Sequence, residues 1–140
     1  MTVTEGPPEA ARADLTGGAP DPEACRQVLQ ILAIVGDKWS VLIVGQLRDG
    51  SRRFSELHRA VTGISQRMLT LNLRHLERDG LVSRTVHASV PPRVDYELTE
   101  LGRTLLDAVV ALGDWATTHR VDILEHRRRY DERTERSTGA

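Results

Sequence analysis

The chain has 140 residues, enough for one domain with a modest core and too few for two of ordinary size. A hydrophobic share of 39% and a charged share of 28% fit a globular fold in water, and at 4% aromatic the interior must be filled mostly by aliphatic side chains. The net charge of −1 argues against a nucleic-acid partner only if charge is spread evenly, and it is not. Residues 1–24 carry five acids and one base, whereas residues 48–103 carry ten arginines and seven acids, local balances of −4 and +3. No apolar run approaches the roughly 18 residues that span a bilayer, and the start of the chain lacks the basic-then-apolar order of a secretory signal. With a single cysteine no internal disulfide can form, so the expected setting is cytoplasmic and without membrane contact.

Residues 1–20 are rich in Pro, Gly, Ala, Thr and acids and nearly free of large apolar groups, which predicts a disordered tail. Order is expected to begin at Asp21-Pro22-Glu23: Asp suits an N-cap, Pro the first helical position, and Glu the positive end of the helix dipole. The helix that follows carries Val28, Ile31, Leu32 and Val35 at helical spacing and stops at Gly36. A second helix over 38–48 is apolar on nearly every side (Trp39, Val41, Leu42, Ile43, Val44, Leu47), the pattern of a buried central helix. Asp49-Gly50 ends it, and Ser51-Arg52-Arg53-Phe54 reads as a connector with at most a strand bridge. A short helix over 55–61 points Leu57 and Val61 inward, and Thr62-Gly63 makes the turn.

The next helix is marked at both ends. Ser65 is placed to cap it, with Ile64 and Leu69 at the spacing of a hydrophobic staple, and Asp79-Gly80 closes it. Residues 81–87 and 94–98 read as two strands joined by the stiff loop Ala88-Ser89-Val90-Pro91-Pro92-Arg93. Thr99 caps a long last helix with a stripe of Leu101, Leu105, Val109, Leu112 and Trp115 or Ala116. That helix either continues, or breaks and resumes, through Val121, Ile123 and Leu124. The expected division is a tail over 1–20, a folded domain over 21–126, and a charged, mobile tail over 127–140.

On a wheel of about 100° per residue, Leu69, Leu73 and Leu76 share one face and Arg67, Arg74 and Arg78 fall nearly opposite, with Thr70 on the flank. Guanidinium forks pair with phosphates or read guanine edges, and Gln66 and Thr70 add adaptable hydrogen bonds. Ser65 and the free amides at the helix start suit a phosphate. A solvated charged face would be the better account of this helix alone. The preceding helix–turn and the following basic hairpin turn the balance toward double-stranded DNA. A helix followed by a basic-tipped hairpin is the layout of a winged helix-turn-helix: mainly α with a small β-hairpin, flanked by N- and C-terminal helices.

Three positions stay open on this reading. Leu71, on the outer face, either meets a thymine methyl group or is simply exposed. Arg93 either enters a groove near the loop tip or pairs with Asp95 or Glu97. Arg52 and Arg53 are either backbone contacts or a solvated loop. The five histidines show no paired metal-ligand spacing, so no metal and no cofactor is expected. No serine, histidine and carboxylate set suggests an enzyme. Arg127-Arg128-Arg129, interleaved with Glu125, Asp131 and Glu132, reads as a solvated helix end.

The segments GDKW, RRFSEL, GISQRMLT, LERDGLV and VPPRVDYELTELG, in that order and with a cysteine upstream, resemble the HxlR family of bacterial winged-helix regulators, relatives of the MarR group. The similarity covers residues 25–115. It implies a transcriptional regulator acting as a homodimer, paired through its first and last helices on an operator with two-fold-related half-sites. Leu71 stands where members of the family often carry a polar residue. Cys25 matches a position at which some members sense oxidants or electrophiles. A helix N-terminus favours thiolate, Glu23 opposes it and Arg26 assists it; the other reading is a small buried hydrophobe. No residue pattern specifies a small-molecule effector. The competing function is a winged-helix protein-interaction adaptor, which would have no evident need for the arginine face.

Overall fold

The computed structural model describes residues 21–139; the tail expected over 1–20 lies outside them. Five helices and three strands follow in the order α1 (Pro22–Gly36), α2 (Lys38–Gln46), β1 (Arg52–Arg53), α3 (Phe54–Ala60), α4 (Gln66–Arg78), β2 (Val82–His87), β3 (Arg93–Leu98) and α5 (Glu100–Thr138). The expected starts are kept. The Asp21 carboxylate accepts from the Glu23 amide at 3.0 Å, with Pro22 next to it. Asp37 both closes α1 and caps α2, accepting from the Trp39 amide at 2.9 Å.

The core forms where α2, α3, α4 and the sheet meet. Ile43, Val44, Leu47, Leu57, Leu69, Leu73 and Leu76 are essentially sealed from water, with Val82, Tyr96, Leu98 and Leu106 completing it. The helix α2 is less enclosed than its composition predicts. Leu42 is exposed and Val41 half-buried, so one flank of this apolar helix has no cover among the described residues.

The two expected strands belong to a three-stranded antiparallel sheet of order β1-β3-β2. The extra strand is Arg52–Arg53, whose residues pair with Tyr96 and Asp95. β2 and β3 run in register from Val82↔Leu98 to His87↔Arg93. The sheet closes because β3 offers both edges, and the connector is the nearest extended segment to the free one.

Of the two courses left open for α5, the helix takes the continuous one: it runs unbroken past Val121 to Thr138, so that 127–138, expected as a charged mobile tail, is helical. At about 1.5 Å per residue it is roughly 58 Å long. Glu125 bonds Arg128 and Arg129, and Arg128 also bonds Glu132 at 2.6 Å, pairs three and four residues apart that support a solvated helix. The apolar stripe of this helix is only partly covered. Gly102 and Leu106 are the residues buried on this helix, while Leu101, Leu112 and Trp115 remain about half exposed.

Candidate nucleic-acid interface

The helix α4 is fixed at both ends by its own sequence. Ser65 Oγ accepts from the Met68 amide at 3.1 Å, satisfying a free donor of the first turn. At the other end Gly80 takes φ +75, and the Gly80 and Leu81 amides donate to the Glu77 and Leu76 carbonyls at 3.0 and 2.9 Å. That is a Schellman closure, with Leu81 and Leu76 both buried as its apolar pair. A left-handed residue is needed there, and glycine adopts it without steric cost.

Leu69, Leu73 and Leu76 turn inward, so the opposite face is set. Arg67, Arg74 and Arg78 are exposed, and none of them pairs with a carboxylate among the described residues. Ser65 and Gln66 lie at the exposed helix start and Thr70 is half-buried on the flank. Leu71 is 43% exposed among the arginines, so it is part of the outer surface. The helix and its cap thus carry seven of the expected contact residues, six of them exposed and Thr70 half-buried.

The wing differs from expectation in one respect. Arg93 is not at the loop tip; it is the first residue of β3, paired in register with His87. Its Nε lies 3.4 Å from Asp95 Oδ1, while His87 Nε2 lies 2.8 Å from Asp95 Oδ2. Adjacent even-spaced positions on one strand share a face, which brings Arg93 onto the Asp95 carboxylate. The tip is formed instead by Val90, fully exposed, and Pro91-Pro92. Arg52 and Arg53 are strand residues rather than a solvated loop, and Arg53 donates its amide to Glu56 Oε1 at 3.4 Å. Arg52 is half-buried and Arg53 exposed.

Two features escaped the sequence reading. Ser40 Oγ donates to Asn72 Oδ1 at 3.0 Å, and Asn72 Nδ2 donates to the Met68 carbonyl at 2.8 Å. Both side chains are buried, so this polar pair fixes how α4 sits on α2. Its signal was an asparagine beside the leucine stripe. The second is Arg84, exposed on β2 directly opposite the buried Tyr96. Burial pushes the Tyr96 hydroxyl above its ordinary pKa of 10.0, while the positive charges of Arg84 and Arg74 draw it back and Glu77 adds to the rise.

Cys25 lies half-buried in α1. Its amide already donates to the Asp21 carbonyl at 3.1 Å, and Arg26, expected to assist it, is paired with Glu23. Among the described residues no single helix is long and apolar enough to cross a membrane.

A family model described as HxlR-like helix-turn-helix matches residues 34–123. The uncharacterized HTH-type transcriptional regulator YdeP of Bacillus subtilis is 44% identical over 115 residues, 81% of this chain and 89% of YdeP. The transcriptional regulator ytfH from Salmonella typhimurium is similar in structure with a TM-score of 0.67 and 42% identity, over 72% of this chain and 90% of that one. The redox regulator HypR in its reduced form gives a TM-score of 0.65 and 45% identity, over 71% of this chain and 98% of HypR. Helix order, the small three-stranded sheet and these matches agree: the chain belongs to the HxlR-like helix-turn-helix family of transcriptional regulators.

Proposed function

We propose that the protein is a sequence-specific DNA-binding regulator that works as a homodimer, with α4 as its reading helix. The observation that carries this is the outer face of α4, where Arg67, Arg74 and Arg78 stand exposed and without carboxylate partners among the described residues. Such a face matches the acceptor edges and phosphates of a major groove. Ser65, Gln66 and Thr70 add uncharged donors and acceptors, and Leu71 offers an apolar contact. Arg52 and Arg53 flank the helix as backbone contacts. Arg93, tied to Asp95, serves the wing only if DNA displaces that carboxylate.

Support for the homodimer comes from α1, which has no buried residue although it carries Leu29, Ile31 and Leu32. With Leu101, Leu105 and Leu112 of α5, Ile31 and Leu32 line an apolar groove of about 500 Å³. Exposed apolar surface of this kind marks an interaction site. A two-fold pair would place two α4 helices on successive major grooves, roughly 34 Å apart.

Fluorescence anisotropy on DNA from the protein's own upstream region, across a salt series, tests the reading. Arg74→Ala is expected to weaken binding with the melting temperature unchanged. Equal binding by parent and variant at every salt concentration removes Arg74 from the interface.

The name of HypR, a redox regulator, supports a second element of the proposal: Cys25 responds to oxidants. As the sole cysteine it would form a disulfide only with a second subunit or a small thiol. Cys25→Ser is expected to keep DNA binding and lose its response to diamide; an unchanged response rules Cys25 out.

A further inference from the structure

Arg84 occupies an unusual place. β2 is an edge strand, and Val82, two residues earlier on the same face, is buried against Leu98. Because side chains alternate along a strand, Arg84 shares the core-side face with Val82 and sits over Tyr96, just beyond the edge of the apolar interior. The orientation of α4 decides what lies next to it. Asn72 ties one flank of α4 to Ser40 of α2, and His75 and Arg78 line the cleft on that side. The opposite flank, with Thr70 and Glu77, is therefore turned toward the sheet, and Arg74 stands at its outer edge. The charges that act on the Tyr96 hydroxyl are those of Arg84, Glu77 and Arg74, as that orientation requires.

Neither Arg74 nor Arg84 forms an ion pair with Glu77 or any other carboxylate among the described residues. Two guanidinium groups thus flank one seam, over the buried Tyr96. They repel each other, and an anion between them would relieve that repulsion while taking charge-assisted hydrogen bonds from both.

We infer that Arg84 and Arg74 together hold one phosphodiester of the bound duplex at the seam between α4 and the sheet, with Tyr96 positioning Arg84 from beneath. The inference rests on the DNA-binding reading above and sharpens it. The helix and the wing meet the backbone through a shared phosphate, so the strand supplies a clamp that locks the register of α4. Arg84 is a contact to the backbone and carries no base preference.

The test uses the full chain and its upstream DNA in anisotropy titrations over a salt series. Arms are the parent, Arg74→Ala, Arg84→Ala, the double variant and Tyr96→Phe. Arg84→Ala is expected to weaken binding roughly tenfold and to flatten the slope of log affinity against log salt by about 0.9, the value for one phosphate contact. The double variant should lose less than the two single losses combined, because both groups serve one phosphate. Tyr96→Phe keeps the buried ring and both charges, so it should weaken binding by a smaller factor with the slope unchanged. Parent-like affinity and slope for Arg84→Ala, with Arg74→Ala weakened, overturns the clamp and leaves the DNA reading standing. Fully additive losses overturn the shared phosphate. A parent that shows no saturable, salt-dependent binding overturns both readings together.

Discussion

Gly102 gives the sharpest stability test, because two physical arguments predict opposite signs. It lies in the first turn of α5 and is buried against the chain entering β2. A Cβ there would sit 2.0 Å from the Leu81 carbonyl oxygen and 3.2 Å from a Leu98 methyl group. Carbon–oxygen contact begins near about 3.3 Å, so α5 or the Leu81 backbone must retreat by roughly 1 Å. The same carbonyl accepts the Thr99 amide at 3.1 Å, and Thr99 Oγ1 donates to the Gly80 carbonyl at 2.6 Å. Retreat strains both bonds. Overpacking costs about 1–3 kcal/mol and each weakened hydrogen bond about 1 kcal/mol, against a helix-propensity gain of about 1 kcal/mol for alanine. The net for Gly102→Ala is a loss of about 2–4 kcal/mol, a large part of the roughly 5–15 kcal/mol that such domains possess. At about 4 °C per kcal/mol the melting temperature should fall by roughly 8–16 °C. The assay is thermal melting by circular dichroism at fixed protein concentration, which matters if the protein is dimeric. Gly45→Ala is the control: that glycine is also helical, with nothing within 4 Å of the added carbon, and should be neutral or slightly stabilising. A Gly102→Ala protein as stable as its parent refutes the close-approach argument, since propensity alone would then have decided the outcome.

The buried Ser40–Asn72 pair makes a second prediction. Asn72→Leu strands the Ser40 hydroxyl and should cost about 1–3 kcal/mol in urea denaturation, while adding Ser40→Ala should recover part of it. A double variant no more stable than the single one excludes the pairing as the cause. For the proposed dimer, Ile31→Glu places a charge in the groove between α1 and α5 and should give a monomer by sedimentation equilibrium. Retained dimer at micromolar concentration would move the interface elsewhere. At the far end of α5, the hydrogen bond from Arg128, helped by Arg129, draws the Glu125 carboxyl from 4.5 to about 2. A depressed carboxylate pKa means that the contact is complete above the unfolded value and is lost as pH falls through the folded one. A carboxyl carbon NMR titration should therefore place the Glu125 midpoint near 2; a midpoint near 4.5 contradicts the continuous helix that aligns these side chains.

Much of the fold and of the reading helix was written locally in the chain. Caps and stops act over three or four residues, so Asp21, Ser65, Gly80 and Thr99 mark helix ends without knowledge of the rest of the molecule. The opposition of Leu69, Leu73 and Leu76 to Arg67, Arg74 and Arg78 follows from helical period alone, and the exposed arginine face was legible for that reason. What the sequence left open were matters of pairing. For Arg93 a groove contact was the favoured reading over an ion pair; strand register sets it against His87 and brings its guanidinium to Asp95. Arg52 and Arg53 became a strand only because β3 had an unpaired edge. The charged end of α5 looked like a tail because it buries nothing, yet ion pairs three and four residues apart sustain it as helix. Arg84 was invisible as a candidate because its meaning depends on Tyr96 across the sheet and on which flank of α4 faces them. The sequence by itself determined where the elements lie and which faces they offer, since periodicity and capping are short-range. Tertiary structure decided which polar groups meet, because the partners of Arg93, Asn72 and Arg84 are fixed by register and by helix rotation, and neither is encoded in any one segment.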